Sequence, residues 1–415
     1  MKEIYLDNLS NARIDPRVLE EILHILKENN GNAQSMHTLG SRSREALDTA
    51  RERVAGLIGA ESEEIYFTSC GSEANNLAVK GAAEAYRQKG KHVVVSGVEH
   101  FSVLYSARRL GQAGFEVTHL PVDQSGLISP EEVTKAVRDD TVLVSIQHAN
   151  PEIGTIQPIE EFARIAHAKG ALFHTDAVCT AGLLPIDVKA LGADLLTFSS
   201  SPIGGPPGTA ALYLKKSVRV IPQIDGGIQE NGRRAGTENL PGIVGFGRAC
   251  EIAKSEREDN YRKLSGLSRR LIAELPAKIE HVYLNGHPTK RIPSNVNFSV
   301  EFIEGEAMLL FLDQKGIYIS SGSACASKAL KMSHVLTAID VDPAVGQGSI
   351  LFALSRNNTD ADIDYMLSEF PPIVKRLREM SPLWAYFLKT GERKPAGPGT
   401  DYEHDHDHEH EHNDQ

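Results

Sequence analysis

Several segments of the chain set polar, chemically capable residues directly after short apolar runs. The stretch FTSCGSEANN (67–76) offers Gly71 and Ser72 at the opening of a helix, where free N–H groups and the helix dipole favour an anion such as phosphate. Read alone, it is equally an ordinary capped helix start. VEHFSVL (98–104) brings His100, HANPEIG (148–154) brings Asn150, and HTDAV (174–178) brings Asp176 into the same relation to a preceding strand. A lone histidine of this kind is more often structural than catalytic. Polar residues at three successive strand ends point instead to one ligand site, because open α/β sheets bind ligands beyond the carboxyl ends of their strands.

Cys325 lies in SSGSACAS (320–327), a small polar setting that suits a reactive thiol better than a buried structural one. The other cysteines, Cys70, Cys179 and Cys250, are widely spaced and form no CxxC pair, which fits neither a disulfide framework nor a zinc finger. Cys250, on a helix-like stretch, reads as a small buried hydrophobe. Near the end of the sequence, EHDHDHEHEH (403–412) alternates acid and imidazole. His404, His406, His408, His410 and His412 are ligands suited to Zn²⁺ or Ni²⁺, with a merely solvated acidic tail as the alternative.

The elements that must position these residues are legible in outline. Apolar runs at 92–97, 116–122, 141–147, 171–177 and 195–200 read as buried strands. Helices are expected from Pro16, capped by Asp15, over 42–58, and after the capping box Ser129-Pro130-Glu131-Glu132. Alternation of this kind predicts an α/β fold with a mostly parallel sheet covered on both faces. After about residue 260 the rhythm changes to a charged helix (257–279), shorter strands at 295–300 and 317–320, and a last helix near 360–379. The expected organisation is a large domain over 15–260, a smaller α+β domain from 1–14 and 261–395, and a disordered acidic tail over 396–415.

Composition narrows the class. Of 415 residues, 41% are hydrophobic and 24% charged, as in globular proteins. The formal charge of −11 is concentrated in residues 401–415, which hold seven acidic residues and no Lys or Arg. The body is left near −4, which argues against a nucleic-acid partner. No apolar run approaches the ~20 residues of a membrane span, and the first residues lack the apolar stretch of a signal peptide. A cytoplasmic location is expected.

Taken together and in order, YLDN (5–8), FTSCGSEANNLAVKG, NPEIGTIQPI, FHTDA, RRAGTENLPGIVG, SSGSACAS and ALSRNNTDADID resemble the cysteine desulfurases of the iron–sulfur-cluster type, within the class V aminotransferase fold. The resemblance runs to IDYML (363–367). It implies the fold of type I pyridoxal-phosphate enzymes, in which the cofactor supplies the electron sink. It implies that His100 stacks on the ring and Asp176 keeps the pyridine nitrogen protonated. Gly71, Ser72 and Ser199 match the phosphate cradle, with Thr237 (in AGTEN) reaching in from the second subunit of a homodimer. Asn150 and Arg356 match the substrate-carboxylate clamp, for which a guanidinium fork is suited. Cys325 matches the nucleophile that takes up sulfur.

The chain departs from that family at the cofactor segment. The family reads Ser-x-His-Lys followed by Gly-Pro-Lys-Gly; here residues 199–208 read SSSPIGGPPG, and no lysine occurs over 195–214. Ser201 stands in the histidine place and Pro202 in that of the Schiff-base lysine. A proline offers no amine for an imine or for proton transfer. Cys179 replaces a glutamine that bonds the ring hydroxyl, and DNLSNA (7–12) departs from the usual DNAATT.

Three readings follow. In the first, the chain is a desulfurase-like protein without lysine-linked pyridoxal phosphate. It acts in sulfur transfer or iron–sulfur assembly, with Cys325 carrying a persulfide or ligating a cluster beside a scaffold or sulfur-acceptor protein. In the second, it is an enzyme using non-covalently held pyridoxal phosphate. In the third, it is a metal-binding or structural dimer partner.

Overall fold

The computed structural model describes residues 2–28, 31–321 and 332–393. Cys325 and the five tail histidines lie outside the described residues. In chain order the strands are β1 (Ile4–Tyr5), β2 (Ile65–Thr68), β3 (His92–Ser96), β4 (Glu116–Leu120), β5 (Thr141–Ser145) and β6 (Leu172–Asp176). Then come β7 (Leu195–Ser199), β8 (Ala210–Leu214), β9 (Val282–Leu284), β10 (Asn295–Val300), β11 (Ile317–Tyr318) and β12 (Ser349–Ala353).

The main sheet has the order β2-β8-β7-β6-β5-β3-β4. Strands β4, β3, β5, β6 and β7 pair in parallel, as the alternating pattern predicts. Strand β8 was not anticipated, and it runs antiparallel to both β7 and β2. The physical reason is the link: residues 200–209 reverse the chain without a crossover helix, and so short a connection joins only antiparallel neighbours. Both faces are covered. Val94, Phe173 and Phe198 pack under Leu47, Phe162 and Phe246 on one side, while Val93, Val95 and Leu143 pack under Val103, Ala107 and Leu110 on the other. This alternation of neighbours along β3 is the period-two pattern of a strand buried on both faces.

The charged helix expected over 257–279 is the second half of one 39-residue helix, Leu240–Lys278. Glycines at 242, 245 and 247 weaken the helical signal of the first half. Packing overrides that weakness. A Cβ on Gly247 would stand 2.9 Å from Ala50 Cα, so glycine is what lets this helix lie against helix Thr38–Ile58. Its first half, with Cys250 fully buried, joins the core under the sheet. Its second half, through Leu264, Leu267, Leu271 and Leu275, joins a separate core with Ile4, Leu6, Phe298, Phe352 and Phe370.

That second core holds the three-stranded sheet β12-β10-β9 and the parallel pair β1-β11. At Ser129 the hydroxyl accepts from Glu132 N (3.2 Å), but Glu132 pairs with Lys135 at 2.7 Å rather than closing a capping box. A final helix, Pro382–Thr390, was not foreseen. Trp384 and Phe387 dock it against His281 and Phe302, two residues held at positive φ (53° and 72°). Among the described residues no helix is long and apolar enough to cross a membrane.

Candidate active site

Strand β6 delivers Asp176 at its carboxyl end, buried at 8% exposure. Its Oδ1 accepts from Val178 N (2.9 Å) and its Oδ2 from Asn75 Nδ2 (2.7 Å). Burial raises the Asp176 pKa, opposed by these two bonds and by the nearby His100. Asn75 Nδ2 also donates to Ser102 Oγ (2.9 Å), which lies 2.7 Å from His100 Nδ1. His100, at the N-cap of helix Phe101–Gln112, accepts from Ser102 N as well. Asp176 and His100, 76 positions apart in the chain, are thus joined by a continuous hydrogen-bonded chain through Asn75 and Ser102.

Helix Gly71–Asn76 opens beside this chain. Its N-cap, Cys70, makes no side-chain capping bond, which leaves first-turn N–H groups for another acceptor. A Cβ on Gly71 would stand 2.9 Å from Val178 Cγ2, so glycine permits the helix start to lie against the exit of β6. Ser72 is exposed and Ser199 half-buried at the end of β7. Thr237 is exposed in the loop before helix Leu240–Lys278.

Around Cys179, three positions after Asp176, lies a small cavity of about 90 Å³, with Pro202, Gly204, Asn295 and Arg356 also in its lining and no lysine among the described lining residues. Pro202 occupies a 3-10 turn, Ser201–Ile203. Ser201 Oγ donates to Asn11 Oδ1 (2.8 Å). Cys179 is buried, its Sγ donates to Ala149 O (3.2 Å), and burial pushes its thiol pKa well up. A thiol of that kind is unreactive. Lys263 donates its ammonium to the backbone carbonyl of Arg356.

The two residues expected to clamp a carboxylate are both engaged within the protein. Arg356 Nη2 donates to Asp15 Oδ2 (2.5 Å), and its Nη1 lies 3.5 Å from Glu256 Oε2. Fully buried Asn150 donates to Val98 O (3.0 Å) and accepts from Glu152 N and Ile153 N (2.9 Å each). It is absent from the cavity lining, so the structure does not bring it together with Arg356 there.

The residues present fit part of pyridoxal phosphate and not all of it. Asp176 presents a buried carboxylate suited to a protonated ring nitrogen, Asn75 Oδ1 is buried without a partner, and the uncapped helix start suits a phosphate. No described lining residue supplies an amine for a covalent attachment.

The Aminotransferase class-V pattern matches residues 4–366. The chain belongs to this family. As a member of the class-V aminotransferases it is 50% identical to "Cysteine desulfurase IscS" of Methanosarcina thermophila, over 92% of this chain and 94% of that protein. Among solved structures it resembles a "NifS-like protein" with TM-score 0.85 and 36% identity, covering 91% of this chain and all of that one. It also resembles a NifS-like protein from Rickettsia africae, with TM-score 0.82 and 32% identity over 90% of this chain and all of that one.

Within this class-V site, sequence reading passed over four contributors. Asn75 and Ser102 sit inside quoted segments, yet only tertiary contact reveals their bridging role. Glu99 is fully buried and pushed up to about 8 by burial, partly offset by donors from Ser96 Oγ and Gln147 N. Glu152 is pushed up to about 7 by burial and accepts from Ser333 Oγ (2.6 Å). A signal did exist for both: each acid stands within two positions of a site residue, Glu99 before His100 and Glu152 after Asn150, with an apolar residue at its side.

Proposed function

We propose that this chain is a cysteine desulfurase-like protein without lysine-linked pyridoxal phosphate, acting in sulfur transfer or iron–sulfur cluster assembly through Cys325. The relatives named cysteine desulfurases support the sulfur chemistry, and Pro202 in a cavity lined by no described lysine carries the departure from it. With no amine among the described lining residues, the thiolate of Cys325 takes its sulfur from a donor persulfide. It attacks the outer sulfur, a new S–S bond forms as the donor's S–S bond breaks, and the donor leaves as a thiolate. No external oxidant is needed, and the sulfur is passed on to a scaffold or acceptor protein by the same exchange.

A second reading, an enzyme holding pyridoxal phosphate non-covalently, is favoured by the Asp176–Asn75–Ser102–His100 chain. When bound, that cofactor supplies an electron sink for charge developing beside an amine. Asp176 would hold the proton on the ring nitrogen, His100 would face the ring, and Gly71, Ser72 and Ser199 would bind the phosphate. Thr237 of a second subunit would complete that cradle. Asn75 holds Asp176 in position for this.

Absorbance and product assays on one preparation separate the readings. The unmodified protein incubated with pyridoxal phosphate and cysteine is expected to show no band of lysine-bound cofactor and negligible alanine release. General acid–base help from an amine is typically worth ~10²–10⁴ in rate, and Pro202 has none to offer. Pro202→Lys with Ser201→His is expected to gain the absorption band before it gains turnover. Robust sulfide and alanine production by the unmodified protein, abolished by Cys325→Ala, would establish the second reading instead.

A further inference from the structure

Away from the candidate site, helix Leu240–Lys278 and the loop 286–293 enclose a groove of about 890 Å³. Four arginines line it: Arg257, Arg262 and Arg269 from one face of the helix, and Arg291 from the loop. The single carboxylate among the lining residues is Glu258. Arg262 reaches the exposed Asp259 at 3.2 Å. Among the described residues, Arg257, Arg269 and Arg291 have no carboxylate within ion-pair distance; Arg269 Nε donates only to Ser265 O (3.0 Å).

The contrast with the next residue is informative. Arg270, pointing elsewhere on the same helix, is held by Glu274, Asp360 and Asp364. Arg291 is the least expected of the four, because it is 93% buried. Its Nη groups donate to the carbonyls of Asn285, His287 and Asn295, and its Nε has no partner. Burial draws its pKa down to about 10, so it remains a cation at neutral pH. Concentrated positive charge with so little acid beside it calls for an anionic occupant.

The same chain carries one. Residues 401–415 hold seven acidic residues and no Lys or Arg, with Tyr402 set between Asp401 and Glu403. Reach is sufficient. Arg393 pairs with Glu301 (2.5 Å), directly after β10. From there to Asn295, a partner of Arg291, is roughly 20 Å along β10 at ~3.3 Å per residue. Residues 394–415 number 22, and a chain of that length spans roughly 25 Å as a coil and up to about 70 Å extended. We infer that the acidic segment 401–415 docks in the arginine groove of its own chain. Leu183 lines both this groove and the cavity beside Pro202, so the docked segment lies at the rim of the candidate active site. The inference stands independently of the sulfur chemistry proposed above.

A photo-crosslinking experiment on the full-length protein tests this. Tyr402 is replaced by p-benzoylphenylalanine, and labelled and unlabelled chains are mixed so that mass spectrometry distinguishes links within a chain from links between chains. Links within one chain to 183–185, 257–272 or 288–293 are expected. Their yield should fall at least fivefold in 0.5 M salt, where the Debye length is a few ångström, and likewise in R257S/R269S. The tail variant D405N/D407N/E409Q/E411Q alters no residue of the described core and should lose the links to the same degree. Links to other surfaces, links only between chains, no links, or a yield indifferent to removal of the tail's charge would each overturn the assignment.

Discussion

Asp15 and Arg356, 341 positions apart, meet with Asp15 Oδ2 2.5 Å from Arg356 Nη2. The same carboxylate accepts from Arg17 N (2.8 Å) at the start of helix Pro16–Glu28. One side chain therefore starts a helix and neutralises the guanidinium that lines the cavity beside Pro202.

This arrangement has an acid-side consequence. The Asp15 carboxyl is held down to about 2, first by its hydrogen bond to Arg17, with the Arg356 charge adding to the effect. A folded-state pKa below the ordinary 3.8 gives stability that is present above about pH 4 and lost as pH falls through about 2. Asp15→Asn keeps a capping oxygen and removes the charge. Urea unfolding should show a loss of about 1–3 kcal/mol at pH 7, and a smaller loss of stability between pH 4 and 2 than the unmodified protein shows.

Glu152 has the opposite sign. Its carboxyl is raised by burial to about 7, so between about pH 4.5 and 7 the folded state keeps a proton that the unfolded state has released. Stability falls as pH rises through that window and is level above it. Glu152→Gln mimics the protonated form and still accepts from Ser333 Oγ. Thermal unfolding should show the variant gaining on the unmodified protein by a few kcal/mol at most at pH 8, with little difference at pH 5.

Thr237 is exposed in the single chain, which leaves its hydroxyl available to a second subunit. The protein is expected to sediment as a homodimer in which Thr237 of one subunit completes the partner's phosphate cradle. Thr237→Ala should leave the dimer intact and weaken inorganic phosphate or pyridoxal phosphate binding by about 3–10-fold, the usual worth of one hydrogen bond. A stable monomer in sedimentation would remove this expectation.

The histidines of 403–412 supply five imidazoles with interleaved carboxylates. Calorimetry with Zn²⁺ or Ni²⁺ should find binding to the full-length protein that is lost on deleting residues 401–415. The rest of the chain should still unfold cooperatively, losing only the stabilisation that docking in the arginine groove provides. Equal metal binding by both forms would refute the assignment.

The parallel strands, the helix from Pro16 and the positions of His100 and Asp176 at strand ends were legible in the sequence because periodicity and capping are local codes. The absence of lysine over 195–214 is likewise a property of the string itself, and no folding changes what proline can donate. The antiparallel course of β8, the unbroken helix through 257, the bridge by Asn75 and the engagement of Arg356 by Asp15 were not legible. Each depends on contacts between residues far apart in sequence. Gly247 weakens a helix locally and strengthens it by close approach to Ala50, so the sign of its effect is decided only when the neighbour is in place. The same holds for Glu99 and Glu152. Their residue type was determined by the sequence, but only burial, a tertiary property, removed the water that keeps an ordinary glutamate ionised and so raised both pKa values.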